Sequence, residues 1–370
     1  MIDTTLNRVL ILDDNPERHN LISRPDGVTF TIRHPIDLDA SDLDGIDLVC
    51  VDEYLGEDWA LEVSKRVGDL PALMNNDGLA VAAALRSRAR LAALGGEAGF
   101  AVALFTAELD KLASGMPLDR QEPLTASLHD LEWVFRFESG PAPLGDRISS
   151  LAAATRDLAN LDSAGSRYAW LGLRDQAWTD LARAQIDDCR PPEHALAKST
   201  FGRSYLRWFA QRILPYPTFL LDDTYASILL GISLDSFRSN GVQGLLATHH
   251  VRYTGALADS FLGDRWWRAA LQHLLQDLGS SQWASSQEKA QAIAASANVS
   301  VEPLDAETAI VTYNSAGGVD AIGAEAEESV RIQMDGWPTY ADEAWADLEQ
   351  VRSDPALRSL VAHDDLGRLE

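Results

Sequence analysis

Carboxylate side chains follow two short apolar runs in the N-terminal part of the chain. Residues 9–12 lead into Asp13 and Asp14, and residues 48–51 lead into Asp52. Carboxylate oxygens are the ligands that Mg²⁺ prefers in proteins. If the two runs are strands of one parallel sheet, the three acids lie at its carboxyl edge, where such sheets collect functional groups. The pattern therefore predicts weak Mg²⁺ binding, with Asp13 and Asp52 as direct ligands.

Two further apolar runs end on Thr106 and on Arg136, which places a hydroxyl and a cation at the same predicted edge. A carboxylate that attacks a phosphoryl group must approach another anion, and a divalent metal together with a fixed cation such as Arg136 lowers that repulsion. The Thr106 hydroxyl can donate to a phosphoryl oxygen. The backbone carbonyl of Tyr54 can complete the metal shell. Together these groups predict that Asp52 accepts a phosphoryl group.

The elements that must position these groups follow an alternating pattern. The apolar runs are short and continuous, as is typical of strands buried on both faces of a parallel sheet. Residues 28–32 add a fifth strand, and residues 79–94 and 108–114 have helical patterns. The alternation predicts a doubly wound α/β domain with a parallel five-stranded sheet. Gly-Pro-Ala-Pro at residues 140–143 interrupts the pattern, so we expect this domain to cover residues 1–145.

The order of these residues resembles the receiver domains of bacterial response regulators, over roughly residues 7–145. The resemblance implies that Asp52 is the phosphoacceptor, Thr106 the switch hydroxyl and Trp133 the switch aromatic residue. It also implies a sensor histidine kinase or another signalling protein as partner. The motifs that carry it are Asp13-Asp14, Asp52, Thr106-Ala107 and Trp133-x-x-Arg136, with Asp77-Gly78 before a helix.

Departures from the family pattern lie beside the predicted pocket. Arg136 stands where the family has a lysine, Phe137 stands where it has a proline, and residues 57–76 form an insertion in place of the usual Met-Pro. Two alternatives follow. The first is a pseudo-receiver that only binds partners. The second is a receiver-derived enzyme that processes cyclic phosphates, although Glu53 replaces the histidine of that group and His19 is the only candidate imidazole near the pocket.

The remainder, residues 146–370, is predicted to be a mainly α-helical (α+β) output domain. Helical patterns cover residues 149–161, 168–186 and 204–213, and residues 301–313 are typical of a strand. The complete chain is therefore predicted to be a response-regulator-like signalling protein. In this interpretation the receiver-type pocket controls a C-terminal domain that interacts with another protein.

A second pattern in the C-terminal part indicates an alternative output. Residues 224–240 resemble the helix-turn-helix of bacterial DNA-binding proteins, with Ser233 as the cap of the second helix. Base readout usually needs side chains that bond two atoms of a base edge, and Arg238, Asn240 and Gln243 are the candidates. This interpretation makes the protein a transcriptional regulator. Because the second helix offers a single cation, a protein-interaction domain is the favoured output.

Charge and cysteine content restrict the partners and the compartment. The net charge of −25 argues against general coating of nucleic acid and against anionic membrane surfaces. No run of about 18 apolar residues predicts a membrane span. No signal peptide is expected, and the two cysteines, Cys50 and Cys189, favour a reducing, cytoplasmic setting. The acidic residues 301–370 are expected to contact the more basic residues 190–268.

Overall fold

The N-terminal part of the chain forms a five-stranded sheet. The computed structural model describes residues 6–15, 25–56, 77–94, 99–137, 142–159, 166–192, 198–258 and 260–369. All pairings in this sheet are parallel, and the strand order is β2-β1-β3-β4-β5. The prediction of a five-stranded parallel sheet is confirmed, and the arrangement fits an α/β fold. The strands are β1 Asn7–Leu12, β2 Val28–Arg33, β3 Leu48–Asp52, β4 Ala101–Thr106 and β5 Trp133–Arg136.

Helices cover both faces of this sheet, which explains why the central strands β3 and β4 are buried throughout. Every residue of β3 and β4 is buried. Leu10 and Val49 share a core with Leu85 of helix α1, whereas Val9 shares a second core with Leu151 of helix α4. Successive strand residues thus point to opposite faces, as the pleat of a strand requires. The helices of this part are α1 Gly78–Leu94, α2 Leu109–Leu112, α3 Gln121–Leu128 and α4 Leu144–Ala159.

The C-terminal part contains helices, but they differ from the prediction in one place. Residues 168–186 were expected to form one helix, and the structure has two, separated by a turn in which Gly172 adopts a φ of 70°. A glycine tolerates this left-handed conformation without steric cost. The helices are α5 Ser166–Trp170, α6 Thr179–Asp188, α7 Lys198–Trp208, α8 Asp223–Leu230, α9 Leu234–Arg238, α10 Asn240–Thr248, α11 Arg268–Asp277, α12 Ser286–Ala297, α13 Leu348–Ser353 and α14 Pro355–Leu360.

A second, mixed sheet lies in the C-terminal part, so the prediction of a mainly helical output domain is not confirmed. A four-stranded sheet has the order β10-β11-β8-β9, with β8 and β11 parallel and the other pairs antiparallel. Only Ala309–Tyr313 of the predicted strand over residues 301–313 is extended in the sheet. The strands are β6 Leu220–Leu221 and β7 Trp266–Trp267, which pair with each other, and β8 Ala309–Tyr313, β9 Val319–Glu325, β10 Ser329–Ile332 and β11 Ala344–Asp347.

The acidic C-terminal stretch contacts the middle segment and is built into the second sheet. Arg268 and Asp342 form an ion pair at 2.6 Å, and the core of the sheet packs against Tyr225 and Ile228 of α8. The predicted contact therefore exists, as part of a folded layer. None of the described helices is long and apolar enough to cross a bilayer.

The two parts of the chain share a continuous apolar core. Residues of β1, β3, β4 and β5 belong to the same cluster of buried side chains as residues of α4, α7 and α11. Helix α4 begins at Leu144, beside the predicted boundary at residue 145, and contacts β1 and β3 as well as α7. The division into domains over residues 1–145 and 146–370 stays a prediction.

Candidate functional site

Three carboxylates meet at the carboxyl edge of the parallel sheet. Asp13 follows β1 directly, Asp52 is the last residue of β3, and the register pairs Leu12 with Val51. One ligand atom each of Asp13, Asp14 and Asp52 lies within 4.8 Å of the others. Asp13 and Asp52 are buried, and Asp14 is half-buried. The structure therefore brings together the three acids that the sequence placed at one edge.

Backbone amides hold two of these acids in place. Asn15 N donates to Asp13 Oδ1 at 2.6 Å, and Gly56 N donates to Asp14 Oδ2 at 2.7 Å. A Cβ atom at position 56 would lie 2.6 Å from the same Asp14 oxygen, so the amide can approach it closely because residue 56 is a glycine. A compact group of oxygen ligands of this kind suits a hard divalent cation such as Mg²⁺. Asp13, Asp14 and Asp52 are the residues that would hold it.

Helix α1 begins against the backbone of Asp52. Gly78 N donates to Glu53 O at 2.8 Å, and a Cβ atom at position 78 would lie 1.8 Å from Asp52 O. Asp77 Oδ1 accepts a hydrogen bond from Leu79 N at 2.8 Å, which satisfies one amide of the first turn. The partial positive charge of a helix N-terminus is thus next to the strand end that carries Asp52, which favours added negative charge there.

Thr106, at the end of β4, contacts a residue whose role the sequence did not reveal. Its Oγ1 donates to Glu53 Oε2 at 3.4 Å and accepts from Glu108 N at 2.9 Å. Burial raises the pKa of the Glu53 carboxyl, and the contact with Thr106 offsets part of that increase. The predicted switch hydroxyl therefore has a carboxyl partner. In the sequence, the only indication that Glu53 lies near Thr106 is that it immediately follows Asp52.

Arg136, at the end of β5, is held by the elements that flank this strand. Its guanidinium donates to Asp110 Oδ1 at 2.7 Å and to the side-chain oxygen of Gln121. Its backbone amide donates to Glu122 Oε1 at 3.0 Å. In the register of the sheet, Arg136 lies beside Thr106, so the cation is at the predicted edge. Its position agrees with the prediction, and its guanidinium contacts α2 and the start of α3.

The predicted switch aromatic residue is covered by the C-terminal part. The Trp133 side chain is fully buried, and its ring centroid is 4.8 Å from that of Phe261. Among the described residues, Trp133 Nε1 has no hydrogen-bond partner. Tyr54, by contrast, is 56% exposed and forms an isolated bridge with Asp77. Trp133 therefore lies in contact with the C-terminal part.

The turn and the cap of the helix-turn-helix pattern lie where the sequence predicted them. Gly231 adopts a φ of 67° after α8, and Ser233 Oγ accepts from Ser236 N at 3.2 Å at the start of α9. Helix α9 ends at Arg238, two residues earlier than predicted. Arg238 Nε donates to Asp223 Oδ2 at 2.9 Å, which engages the one cation of this helix.

The other two candidate base-reading residues belong to the next helix. Asn240 is the first residue of α10, and Gln243 Nε2 donates to Phe237 O at 2.8 Å. DNA binding stays a prediction. The insertion at residues 57–76 and His19 lie outside the described residues.

Comparisons with protein-family models, with curated proteins and with solved structures found no match to this chain.

Proposed function

We propose that the protein is a receiver-type signalling protein in which Asp52 accepts a phosphoryl group and thereby controls the C-terminal part. The observation that supports this best is the group of three carboxylates within 4.8 Å at the carboxyl ends of β1 and β3. A hydroxyl, Thr106, and a cation, Arg136, follow the next two strands of the same sheet. A five-stranded parallel sheet with this order is compatible with a receiver-like fold.

The chemistry assigned to the site is an in-line displacement. A carboxylate oxygen of Asp52 forms a bond to phosphorus, and the bond from phosphorus to the donor's leaving group breaks, with the electron pair going to that group. Asp13, Asp14 and Asp52 would hold Mg²⁺, which would neutralise charge on the phosphoryl oxygens. The Thr106 hydroxyl, now 3.4 Å from Glu53, would instead donate to a phosphoryl oxygen. The N-terminus of α1 adds favourable electrostatic potential.

A continuous chain of contacts can carry this change toward the C-terminal part. The backbone amide of Arg136 donates to Glu122, whose carboxylate pairs with Arg147 at 2.5 Å. Arg147 Nε in turn donates to Phe261 O at 3.0 Å, and the Phe261 ring packs on Trp133. A movement at the end of β5 therefore alters contacts on both sides of this strand. The output proposed here is a changed protein-interaction surface.

A small phosphodonor gives a direct test. Incubation with acetyl phosphate and Mg²⁺ should add one phosphoryl group to the full chain, detected by intact mass, and Asp52→Asn should abolish the addition. The matched control is Asp47→Asn, because Asp47 precedes the same strand at the opposite edge of the sheet. Beryllofluoride with Mg²⁺ followed by pull-down then identifies partners of the activated form. Equal phosphorylation of the wild type and Asp52→Asn would contradict the assignment.

A pseudo-receiver is the second candidate, and the environment of Arg136 favours it. The guanidinium is bonded to Asp110 at 2.7 Å and to Gln121, so it must leave these partners to contact a phosphoryl group. In this alternative, acetyl phosphate adds no mass, whereas partners bind without activation. The variant Asp110→Asn removes one partner of Arg136 and therefore distinguishes the two candidate functions. It should increase phosphorylation of a receiver and leave a pseudo-receiver unmodified.

A further inference from the structure

A cleft in the C-terminal part lies far along the chain from the acidic site. Its volume is about 350 Å³, within the range typical of small-molecule sites. The side chains in its lining that can donate hydrogen bonds are Arg174, Gln176, His250, Arg252 and Thr254, together with the indole N–H groups of Trp178 and Trp267. No described residue in this lining is an Asp or a Glu. The chain has a net charge of −25, whereas this lining carries two arginines and no acidic residue.

The two arginines of the cleft differ in their surroundings. Arg252 pairs with Asp264 at 2.5 Å, which balances its charge and fixes its guanidinium. The guanidinium of Arg174 has no ion-pair or hydrogen-bond partner among the described residues, and this side chain is exposed. A guanidinium presents several N–H donors in a planar fork that matches the oxygens of a phosphate. Arg174 is therefore available to an anionic ligand.

The segment that carries Arg174 is held by hydrogen bonds within the protein. Thr179 Oγ1 donates to Arg174 O at 2.7 Å and accepts from Gln176 N at 2.8 Å. Gly172 packs so closely on the backbone of Gly255 that a Cβ atom at position 172 would lie only 2.8 Å from Gly255 N. The walls of the cleft are thus ordered before any ligand binds, which lowers the entropic cost of binding.

Two residues in the segments around the cleft have a left-handed backbone conformation. His250 adopts a φ of 53° and Leu257 a φ of 60°, a left-handed conformation that is unfavourable for residues other than glycine. Leu257 lines a neighbouring cavity of about 670 Å³, which shares Gly172, Arg174 and Thr254 with the cleft. Strained residues are frequent where a protein shapes a binding site. The strain here lies in the segments that form the walls.

An apolar surface accompanies the donors. Trp178 and Trp267 line the cleft, and their ring centroids are 5.7 Å apart. Both side chains are largely buried, so each contributes a small, rigid apolar surface to the lining. The lining therefore combines hydrogen-bond donors, which suit the oxygens of a phosphate, with an apolar surface, which suits a flat aromatic ring.

We propose that this cleft binds a small molecule that carries a phosphate and an aromatic ring, with the phosphate on Arg174 and the ring against the apolar wall formed by Trp178 and Trp267. Adenosine monophosphate is the probe for the test, and ribose 5-phosphate is the matched probe that lacks the base. Binding to the full chain is measured by calorimetry in the presence of a chelator, so that a metal at the acidic site does not contribute. Adenosine monophosphate is expected to bind, and ribose 5-phosphate is expected to bind more weakly.

Two variants locate the binding. Arg174→Gln removes the guanidinium and should weaken binding about tenfold or more, as expected for a lost hydrogen bond to a charged group. Ala247→Trp fills the cleft from an exposed position of α10 and should abolish binding while leaving the charges in place. Arg90→Gln, at an exposed position of α1, is the matched control and should bind as the wild type does.

The proposal is overturned by either of two results. The first is that neither probe binds the wild type with a Kd below about 1 mM. The second is that Arg174→Gln and Ala247→Trp, with melting temperatures equal to that of the wild type, bind adenosine monophosphate unchanged. Because the Asp52→Asn variant should bind the probe normally, failure of this proposal is distinguishable from failure of the phosphoacceptor site.

Discussion

Replacing Asp52 by Asn should stabilise the protein in the absence of divalent metal. The ligand atoms of the three acids lie within 4.8 Å of one another. At that distance, two like charges repel by about 3.5 kcal/mol with an effective dielectric constant of about 20. Removing the charge of Asp52 relieves its repulsion with Asp13 and with Asp14. It also weakens the hydrogen bonds that a carboxylate accepts, each by about 1–2 kcal/mol. Taking two such hydrogen bonds to Asp52, their weakening offsets about 4 of the roughly 7 kcal/mol of relieved repulsion, so the net expectation is a gain of about 3 kcal/mol.

Thermal unfolding converts this gain into a measurable shift. At about 2.1 cal/mol/K per residue, the unfolding entropy of a chain of this length is about 0.8 kcal/mol/K. The melting temperature of Asp52→Asn in a chelating buffer should therefore exceed that of the wild type by about 4 °C. In Mg²⁺ at ten times its Kd, the wild type should gain about 1.4 kcal/mol, and the variant much less.

The control for this experiment is Asp47→Asn, since Asp47 lies at the amino edge of the same sheet, where its carboxylate accepts from Arg8 N at 2.8 Å. This variant should respond to Mg²⁺ as the wild type does. The reasoning is refuted if Asp52→Asn is no more stable than the wild type in chelator and if Mg²⁺ stabilises both equally. That result would mean that the three carboxylates neither repel one another appreciably nor bind the ion together.

Two further variants test the contacts at the amino end of β5 and the packing of α1 beside the acidic site. Glu132→Gln should lower stability by about 3 kcal/mol, because the buried carboxylate pairs with two arginines, whereas Asp130→Asn should cost no more than about 1 kcal/mol. Burial acts to raise the pKa of Glu132, but the guanidinium groups of Arg203 and Arg207 outweigh it and lower that pKa from its ordinary value. Denaturation should therefore show the full cost at neutral pH, and the difference should shrink as the pH falls through the lowered pKa. Gly78→Ala should abolish Mg²⁺ binding in calorimetry, because its Cβ atom would overlap Asp52 O. The control Gly244→Ala should bind Mg²⁺ normally, since position 244 has open space for a Cβ atom. Normal binding by both variants would contradict the close approach of α1 to Asp52.

The part of the fold that was predictable from the sequence rests on local and repetitive signals. The continuous apolar runs ending at Leu12 and Val51 identified buried parallel strands, and their carboxyl ends then placed Asp13 and Asp52 together. The cap at Ser233 was equally local, since a serine after a glycine turn is sufficient to indicate it. These features depend on residues close together in the chain and on one general property of parallel sheets.

The features that escaped prediction depend on contacts between distant segments. The strands of the second sheet are short, and their order in the sheet differs from their order in the chain. The last strand, β11, lies between β10 and β8. No periodic pattern in four residues such as Ala344–Asp347 distinguishes a strand from a loop. Likewise, the partners of Arg136 are set by side-chain packing around α3, which single-sequence patterns do not encode. The contact between Thr106 and Glu53 is of the same kind.

Strand β5 is held at both of its ends by the C-terminal part, and this restricts how a signal can pass. At its amino end, Glu132 accepts from Arg207 Nε at 2.9 Å and from Val102 N at 2.6 Å, which joins α7 to β4 and β5. At its carboxyl end, the pair of Glu122 and Arg147 connects the strand to the segment of Phe261.

Separating the two parts would break the ion pairs of Glu132 with Arg203 and Arg207 and would expose the rings of Trp133 and Phe261 to water, at a cost of several kcal/mol. A phosphoryl group on Asp52 would supply its effect through one hydroxyl and one guanidinium, each worth about 1.5–3 kcal/mol as a charged hydrogen bond. These magnitudes favour a local rearrangement around β5 over separation of the two parts. Hydrogen exchange with beryllofluoride should therefore change in β5 and in the segment around Phe261, while α7 stays protected. Loss of protection throughout α7 would show that the two parts separate instead.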